Sequence, residues 1–421
     1  MIYQIPYGKE MLKFELDTPV DELVVKPLER LSNEREAVQD ALRHPIGAEK
    51  LGDLAAGKKN AVIVINDITR PAPSALLVEE LANELNAAGM PDSAITLLVA
   101  TGNHRPNTEE ELKGMVGEAN FSRFLIVNHN ASDPEQLVYL GKTKHGLDVE
   151  VNRLVVEADV TITTGIITPH QTAGFSGGRK SIVPGVAGVK SLMQHHSFPI
   201  RSEEPVMGKM EHNRFHEEAV EAARKVGVDF IVNVVKNNEG HIVGVVAGDL
   251  EEAHEAGVQI CRHAWELEVP ELYDITIVSP GGYPKDFDMH QSQKALASAE
   301  IITKPGGSII LVAECQDGIG SFSKLMAESR DPQEVIRRFK EDGFSSQNHS
   351  SKAYMYARAL AKYHIYFISG HLDPIELKKM FFVPSETIEA AYHNAKQMCA
   401  SVPKVALLPY AVDCLLKVKP T

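Results

Sequence analysis

Ala61-Val62-Ile63-Val64-Ile65-Asn66-Asp67-Ile68-Thr69-Arg70-Pro71 sets an unbroken apolar run ahead of a polar loop that closes on proline. A short run of β-branched residues that does not alternate is the pattern of a strand buried on both faces. Residues 74–88 then carry helical apolar spacing, and a second buried-strand run fills 94–100. The grammar repeats with a helix at 108–116, strands at 124–127 and 160–164, a helix at 212–226 and a strand at 230–235. Strands alternating with helices of this length predict βαβ units and a largely parallel sheet. Upstream, residues 2–16 read as a small β element turning at Pro6 to Gly8, with a helix at 32–43.

The acidic segment Glu266-Leu267-Glu268-Val269-Pro270-Glu271 interrupts this series. Beyond it a second begins, with a strand at 273–278, a helix at 291–299 and a strand at 307–312. A chain of 421 residues exceeds one ordinary core, since domains run to about 100–200 residues. The expected fold class is therefore α/β in two domains, 1–268 and 269–421. Each carries a largely parallel sheet flanked by helices, with the active site in the cleft between them.

The 57 Asp and Glu outnumber the 43 Lys and Arg, for a formal charge of −14. An acidic surface repels nucleic acid and anionic membranes, so neither is an expected partner. Cys261, Cys315, Cys399 and Cys414 lie far apart without a C-x-x-C pair, which fits buried thiols in a reducing cytoplasm rather than zinc or disulfides. No apolar run approaches the roughly 20 residues a membrane-spanning helix needs.

Chemistry-bearing residues collect just after the strands. Asp67 and Arg70 follow the first strand, and Thr101-Gly102-Asn103-His104 the second. Thr168-Pro169-His170 follows the run at 160–164, and Gly281-Gly282-Tyr283-Pro284 the strand at 273–278. In a parallel sheet such loops share one edge, where ligands bind.

The densest segment runs Gly174-Phe175-Ser176-Gly177-Gly178-Arg179-Lys180-Ser181-Ile182-Val183-Pro184-Gly185. Its glycines permit close backbone approach to a ligand, and successive N–H groups form an anion-binding nest. Arg179 beside Lys180 predicts a depressed lysine pKa and hence a nucleophilic amine. A nucleotide phosphate loop is a rival reading, although Arg179 stands where that pattern needs glycine and Pro184 stops the helix that should follow. A non-enzymatic site for small anions, built on Arg70, Arg179, Lys180 and Lys294, is another. His195 and His196 are adjacent, so both cannot easily serve one metal. Gln291 and Lys294 stand one helical turn apart and share a side of their helix.

Taken together, Asp67-Ile68-Thr69-Arg70-Pro71, Thr101-Gly102-Asn103-His104, Pro169-His170, the segment around Lys180 and Gly281-Gly282-Tyr283-Pro284 resemble the nickel-dependent lactate racemase family, in its order and at comparable spacing. The resemblance implies nickel held in a nickel pincer nucleotide, a pyridinium mononucleotide with two sulfur-bearing arms, covalently attached at Lys180. It implies that His196 completes the metal's coordination, and soft sulfur donors plus imidazole suit Ni(II). His104 and His170 match the family's acid/base pair, and Arg70 and Lys294 its substrate-holding cations. Asp67, Gly177, Gly178 and Gln291 match positions around the cofactor. The implied reaction is inversion of C2 of a 2-hydroxy acid, a racemase or epimerase reaction. Hydride leaves Cα while a histidine takes the hydroxyl proton, which gives a neutral keto acid rather than a dianion. Enzymes that assemble the cofactor are implied partners.

Two positions depart from the family. His290 stands where a tyrosine is expected, and Asn348-His349-Ser350-Ser351-Lys352 lacks the tryptophan of lactate-active members; the chain's one tryptophan is Trp265. A smaller, more polar wall predicts a substrate longer or more hydroxylated than lactate, such as a sugar acid.

Overall fold

The computed structural model describes residues 1–346 and 348–419, without the side chains of Asn348 and His349. The chain opens with a hairpin, Ile2–Tyr7 against Glu10–Glu15. It continues through strand β1 (Val20–Glu22) and helix α1 (Glu34–Arg43). The first βαβ series supplies β2 (Ala61–Asn66), α2 (Ser74–Ala87), β3 (Ile95–Ala100), α3 (Glu109–Arg123), β4 (Leu125–Asn128) and β5 (Val160–Ile167). The short helix α4 (Val189–His195) and α5 (Arg214–Val226) come before β6 (Phe230–Lys236), β7 (Ile242–Gly248) and α6 (Glu252–Trp265). The second series is β8 (Tyr273–Val278), α7 (Met289–Ile302), β9 (Thr303–Val312), α8 (Asn348–Leu360), β10 (His364–Ile368), β11 (Val383–Pro384) and β12 (Val405–Leu408).

The strands form two six-stranded sheets, ordered β7-β6-β5-β2-β3-β4 and β11-β10-β9-β8-β12-β1. The second is parallel throughout, and in the first only β7 runs antiparallel. This is the expected α/β class, with parallel-rich sheets flanked by helices.

The unbroken apolar run of β2 is explained by cores on both of its faces. Ile63 and Ile65 pack with Leu77, Leu81, Leu97 and Val232 on one side. Val62 and Val64 pack with Ile182, Val183, Val186 and Ala222 on the other. Each such side chain contributes about 1.5–3 kcal/mol through burial. The second core therefore anchors the stretch just after Lys180 beneath the sheet.

The chain leaves β2 toward β3 and β4, then returns to place β5 on the other side of β2. Strand order reverses between β2 and β5, and a crevice opens outside the carboxyl ends at such a point. The second sheet reverses likewise between β8 and β12, and the loop after β8 leads into α7.

Residues 1–268 lie ahead of the second series, yet the earliest of them build on the second sheet. Strand β1 pairs with β12, Val20 opposite Val405 and Glu22 opposite Leu407. Ile5, Phe14 and Leu16 share a core with Ile275, Ile277, Ile310 and Leu407. Apolar alternation in the hairpin does not say which sheet it will cover, so its partner was not legible.

Candidate active site

The loop after β2 turns back on itself so that Asp67, almost fully buried, gathers donors. Thr69 Oγ1 donates to its Oδ1 at 2.8 Å and Arg70 Nη1 at 3.3 Å. His104, from the loop after β3, brings Nδ1 within 2.6 Å of Oδ2. Burial pushes the Asp67 carboxyl up, but the bonds from His104 and Thr69 and the charge of Arg70 outweigh it and hold it below its ordinary value. An ionised carboxylate only accepts, so His104 carries a proton on Nδ1, and Nε2 is the nitrogen left to exchange a proton with a ligand.

His170 lies in a tight turn after β5, pairing with Gly174 across a two-residue ladder. Its Nδ1 receives the backbone N–H groups of Ala173 at 3.1 Å and Thr172 at 3.3 Å. Backbone N–H can only donate, so this nitrogen is bare and the proton sits on Nε2. Lys180 Nζ stands 2.8 Å from that Nε2. An N–H on the imidazole pointing at the amine requires the amine to offer its lone pair, so Lys180 is neutral. Burial drives its pKa well below the ordinary lysine value, with Arg70, Arg179 and Arg201 adding to the effect. Arg179, expected to be the main cause, is thus secondary to desolvation. Its guanidinium is itself buried, bonding the carbonyl of Ala173 at 2.8 Å and the ring of His254 at 2.8 Å.

The turn that presents Lys180 is a single 3-10 turn, Gly178–Ser181. Gly177 has φ 80°, and a Cβ there would meet Asn233 Oδ1 at 2.7 Å and Ile167 at 2.8 Å. The Gly178 N–H donates to Asn233 Oδ1 at 2.7 Å. These glycines fit the turn against β5 and β6, and the Gly178 N–H is engaged by protein. Among the described residues the next helix after Lys180 starts at Val189, so the long helix of a phosphate loop does not follow.

His196 closes α4 as its C-cap. Its Nδ1 is 2.9 Å from the Leu192 carbonyl, which can only accept, so Nε2 keeps a free lone pair. Burial first, then Arg201 and Lys180, lower its pKa to about 3, so it is neutral at physiological pH. His195 points elsewhere, its Nε2 bonding the Phe215 carbonyl at 2.8 Å.

On the second half, Lys294 and Gln291 of α7 join directly, Nζ to Oε1 at 2.6 Å. Desolvation and then the charge of Arg70 lower the Lys294 pKa, so the two cations lie within electrostatic reach of each other. Arg70 also depresses His170 and Lys180.

Models of the lactate racemase N-terminal and C-terminal domains match residues 7–208 and 270–416. The chain belongs to the lactate racemase family. The lactate racemase of Lactiplantibacillus plantarum is 36% identical over 98% of this chain and 99% of its own length. That of Thermoanaerobacterium thermosaccharolyticum is 34% identical over 99% of each. The solved apoprotein of the lactate racemase from that organism superposes with a TM-score of 0.88 at 34% identity, covering 99% of this chain and 100% of that one. A Thermotoga maritima protein at 16% identity and a TM-score of 0.63 shares the fold. Membership of the lactate racemase family makes the chain an isomerase of the racemase class.

Around this candidate site stand three residues to which no motif assigns a role. Phe215, in the first turn of α5, is ringed by His196 at 5.2 Å, His170 at 6.4 Å, and Lys180 and Arg201 each at 5.9 Å from its centroid. Arg201 bonds the His196 carbonyl at 3.3 Å. Lys352 of α8 is buried against α7. Each arrives from an element with no motif of its own. His349 and Asn348 of the segment that departs from the family have side chains outside the described residues.

Proposed function

We propose that this enzyme inverts C2 of a 2-hydroxy acid, using a nickel pincer nucleotide joined to Lys180, with His196 as the protein's ligand to nickel. The observation that carries this reading is the Lys180 amine, 2.8 Å from His170 and on the same Phe215 ring that His196 faces with a free Nε2. The residues present fit the group. A neutral amine is the nucleophile that a covalent tether requires. Among the described residues no three His, Cys, Asp or Glu side chains could together hold a metal. A metal here would bring most of its donors with it, as the pincer nucleotide does.

When bound, the cofactor supplies the acceptor for the Cα hydrogen. The chain's own residues do the rest. His104, with Nδ1 fixed on Asp67, offers Nε2 to the substrate hydroxyl. His170 is the partner group for the opposite enantiomer; with its proton on Nε2 it presents a donor to the substrate oxygen, and accepting a proton there requires the ring to move its proton to Nδ1 and release the Thr172 and Ala173 N–H groups. Arg70 and Lys294 hold the substrate carboxylate, so that a planar keto acid can turn without escaping. Gln291 positions Lys294, while Gly177 and Gly178 set the turn that aims Lys180 at the cofactor. The polar wall at His290 and Lys352 favours a substrate larger or more hydroxylated than lactate.

Protein made in cells that also make the cofactor-assembly enzymes tests this reading. The expected result is one nickel per chain, a mass increment mapped to Lys180, and racemisation of a 2-hydroxy acid read by chiral chromatography. Lys180→Ala should lose the increment and the activity together. Racemisation without any adduct on Lys180 would overturn the proposal.

A further inference from the structure

Lys352 is 7% exposed, and its Nζ donates to the amide oxygen of Gln293 at 2.9 Å. That amide is fully buried, and its own nitrogen has no partner among the described residues. Gln293 and Lys294 are successive residues of α7, so Lys352, reaching across from α8 to Gln293, comes within electrostatic reach of Lys294. His290 lies one turn before them, and Lys352 and Lys294 are the charges that, after burial, bring its pKa down to about 4. The wall is held stiffly. Tyr356, one turn beyond Lys352 on α8, donates to the Met289 carbonyl at 2.6 Å, and buried Arg358 pairs with Glu300 at 2.7 Å.

Arg201 comes from the other half of the molecule, bonding Met355 Sδ at 3.5 Å beside the same helix. Among the described residues, Lys294, Lys352 and Arg201 have no carboxylate in ion-pair contact. Of these only Lys352 is buried, and burial, then the charges of Lys294 and Arg201, lower its pKa well below the ordinary lysine value, because a buried amine keeps its proton only where an anion pairs with it. The substrate carboxylate assigned to Arg70 and Lys294 leaves Lys352 without an anion.

We propose that Lys352, set with His290 on the wall beside Lys294, receives a second carboxylate of the substrate, which makes the substrate class a 2-hydroxy dicarboxylic acid. This rests on the racemase reading and narrows it. A hydroxyl does nothing to restore the ammonium form that burial disfavours, whereas a second carboxylate favours protonation of Lys352 and accepts a charge-assisted hydrogen bond from it.

The test uses cofactor-loaded enzyme and matched substrates that differ only at the far end: malate and its 4-amide, 2-hydroxyglutarate and its 5-amide, with lactate and gluconate beside them. A dicarboxylate should exceed its isosteric monoamide in kcat/KM by roughly ten- to a hundredfold, the range of one charge-assisted hydrogen bond. Lys352→Met should bring that ratio toward one, chiefly through KM, and Lys352→Arg should retain part of it. Intact mass should show the same cofactor occupancy in wild type and Lys352→Met. Lactate or gluconate as best substrate, or a ratio unchanged in Lys352→Met, would overturn the inference while leaving the racemase reading in place. Loss of cofactor in Lys352→Met would also overturn it, since the lysine would then serve the cofactor. If no 2-hydroxy acid is racemised, the broader reading fails. Calorimetric titration with 2-hydroxyglutarate and its amide then decides the narrower one, supporting it if Lys352 confers preference for the dicarboxylate and overturning it if not.

Discussion

Asp67 performs two tasks with one carboxylate, since Oδ2 fixes the tautomer of His104 while Oδ1 receives Thr69 and Arg70. An amide at this position can turn its NH2 toward Nδ1 and strip that nitrogen of its proton, which moves the proton to the nitrogen that should accept one. Asp67→Asn should therefore lower kcat by roughly 10²–10⁴, the range general acid–base catalysis supplies. KM should change little, and steady-state racemisation rates check both. Gly177→Ala places a Cβ against Asn233 Oδ1 and Ile167 at a φ of 80°. It should destabilise the protein by about 1–3 kcal/mol, read as a lowered urea midpoint, and slow the formation of any adduct on Lys180.

Helix α5 shows how one element can tune a site that its own sequence does not advertise. Its N-cap, Asn213, accepts the Phe215 N–H at 3.1 Å and donates to the carbonyls of Thr172 and Lys209, each at 2.9 Å. One buried amide thus caps the helix, seats Phe215 and braces the turn that holds His170. Asn213→Ala should cost about 1–3 kcal/mol from lost capping and unsatisfied buried carbonyls, measured by urea unfolding. Asn213→Asp should recover the cap but not the bonds to the two carbonyls. At this scale the central strands were legible because burial on both faces leaves an unbroken apolar run. The strand expected at 160–164 extends to Ile167, and the helix expected at 108–116 extends to Arg123, through non-helical Gly117. Periodicity stops at a glycine where the chain does not. The loops after β2, β3 and β5 could be read as meeting because parallel strands share an edge. Phe215, Arg201 and Lys352 could not, since their nearness depends on how whole helices dock. Lys352 lies in the segment that lacks the family's tryptophan, and a lone lysine in a helix carries no motif of its own.

Across the whole molecule, buried imidazoles make folding sensitive to acid. Burial lowers the pKa of His129, His195 and His254, brings His216 down to about 3 and, with Lys352 and Lys294, His290 to about 4. In the unfolded chain they titrate near 6.5. Below that value the unfolded chain binds more protons than the folded one, so stability falls as pH drops from about 6.5 toward 4. Urea midpoints of cofactor-free protein at pH 8, 6.5 and 5 should decline in that order; a level series would contradict the assignment. The two sheets also knit the chain over its greatest separations. Val20–Glu22 waits for Val405–Leu407 before it has a neighbour to bond. On a ribosome adding roughly 5–20 residues per second, that wait is on the order of tens of seconds. Ile5, Phe14 and Leu16 likewise wait for Ile275, Ile277 and Ile310, so a segment made early is seated late. Newly made protein is thus most open to chaperone capture along that uncovered hairpin.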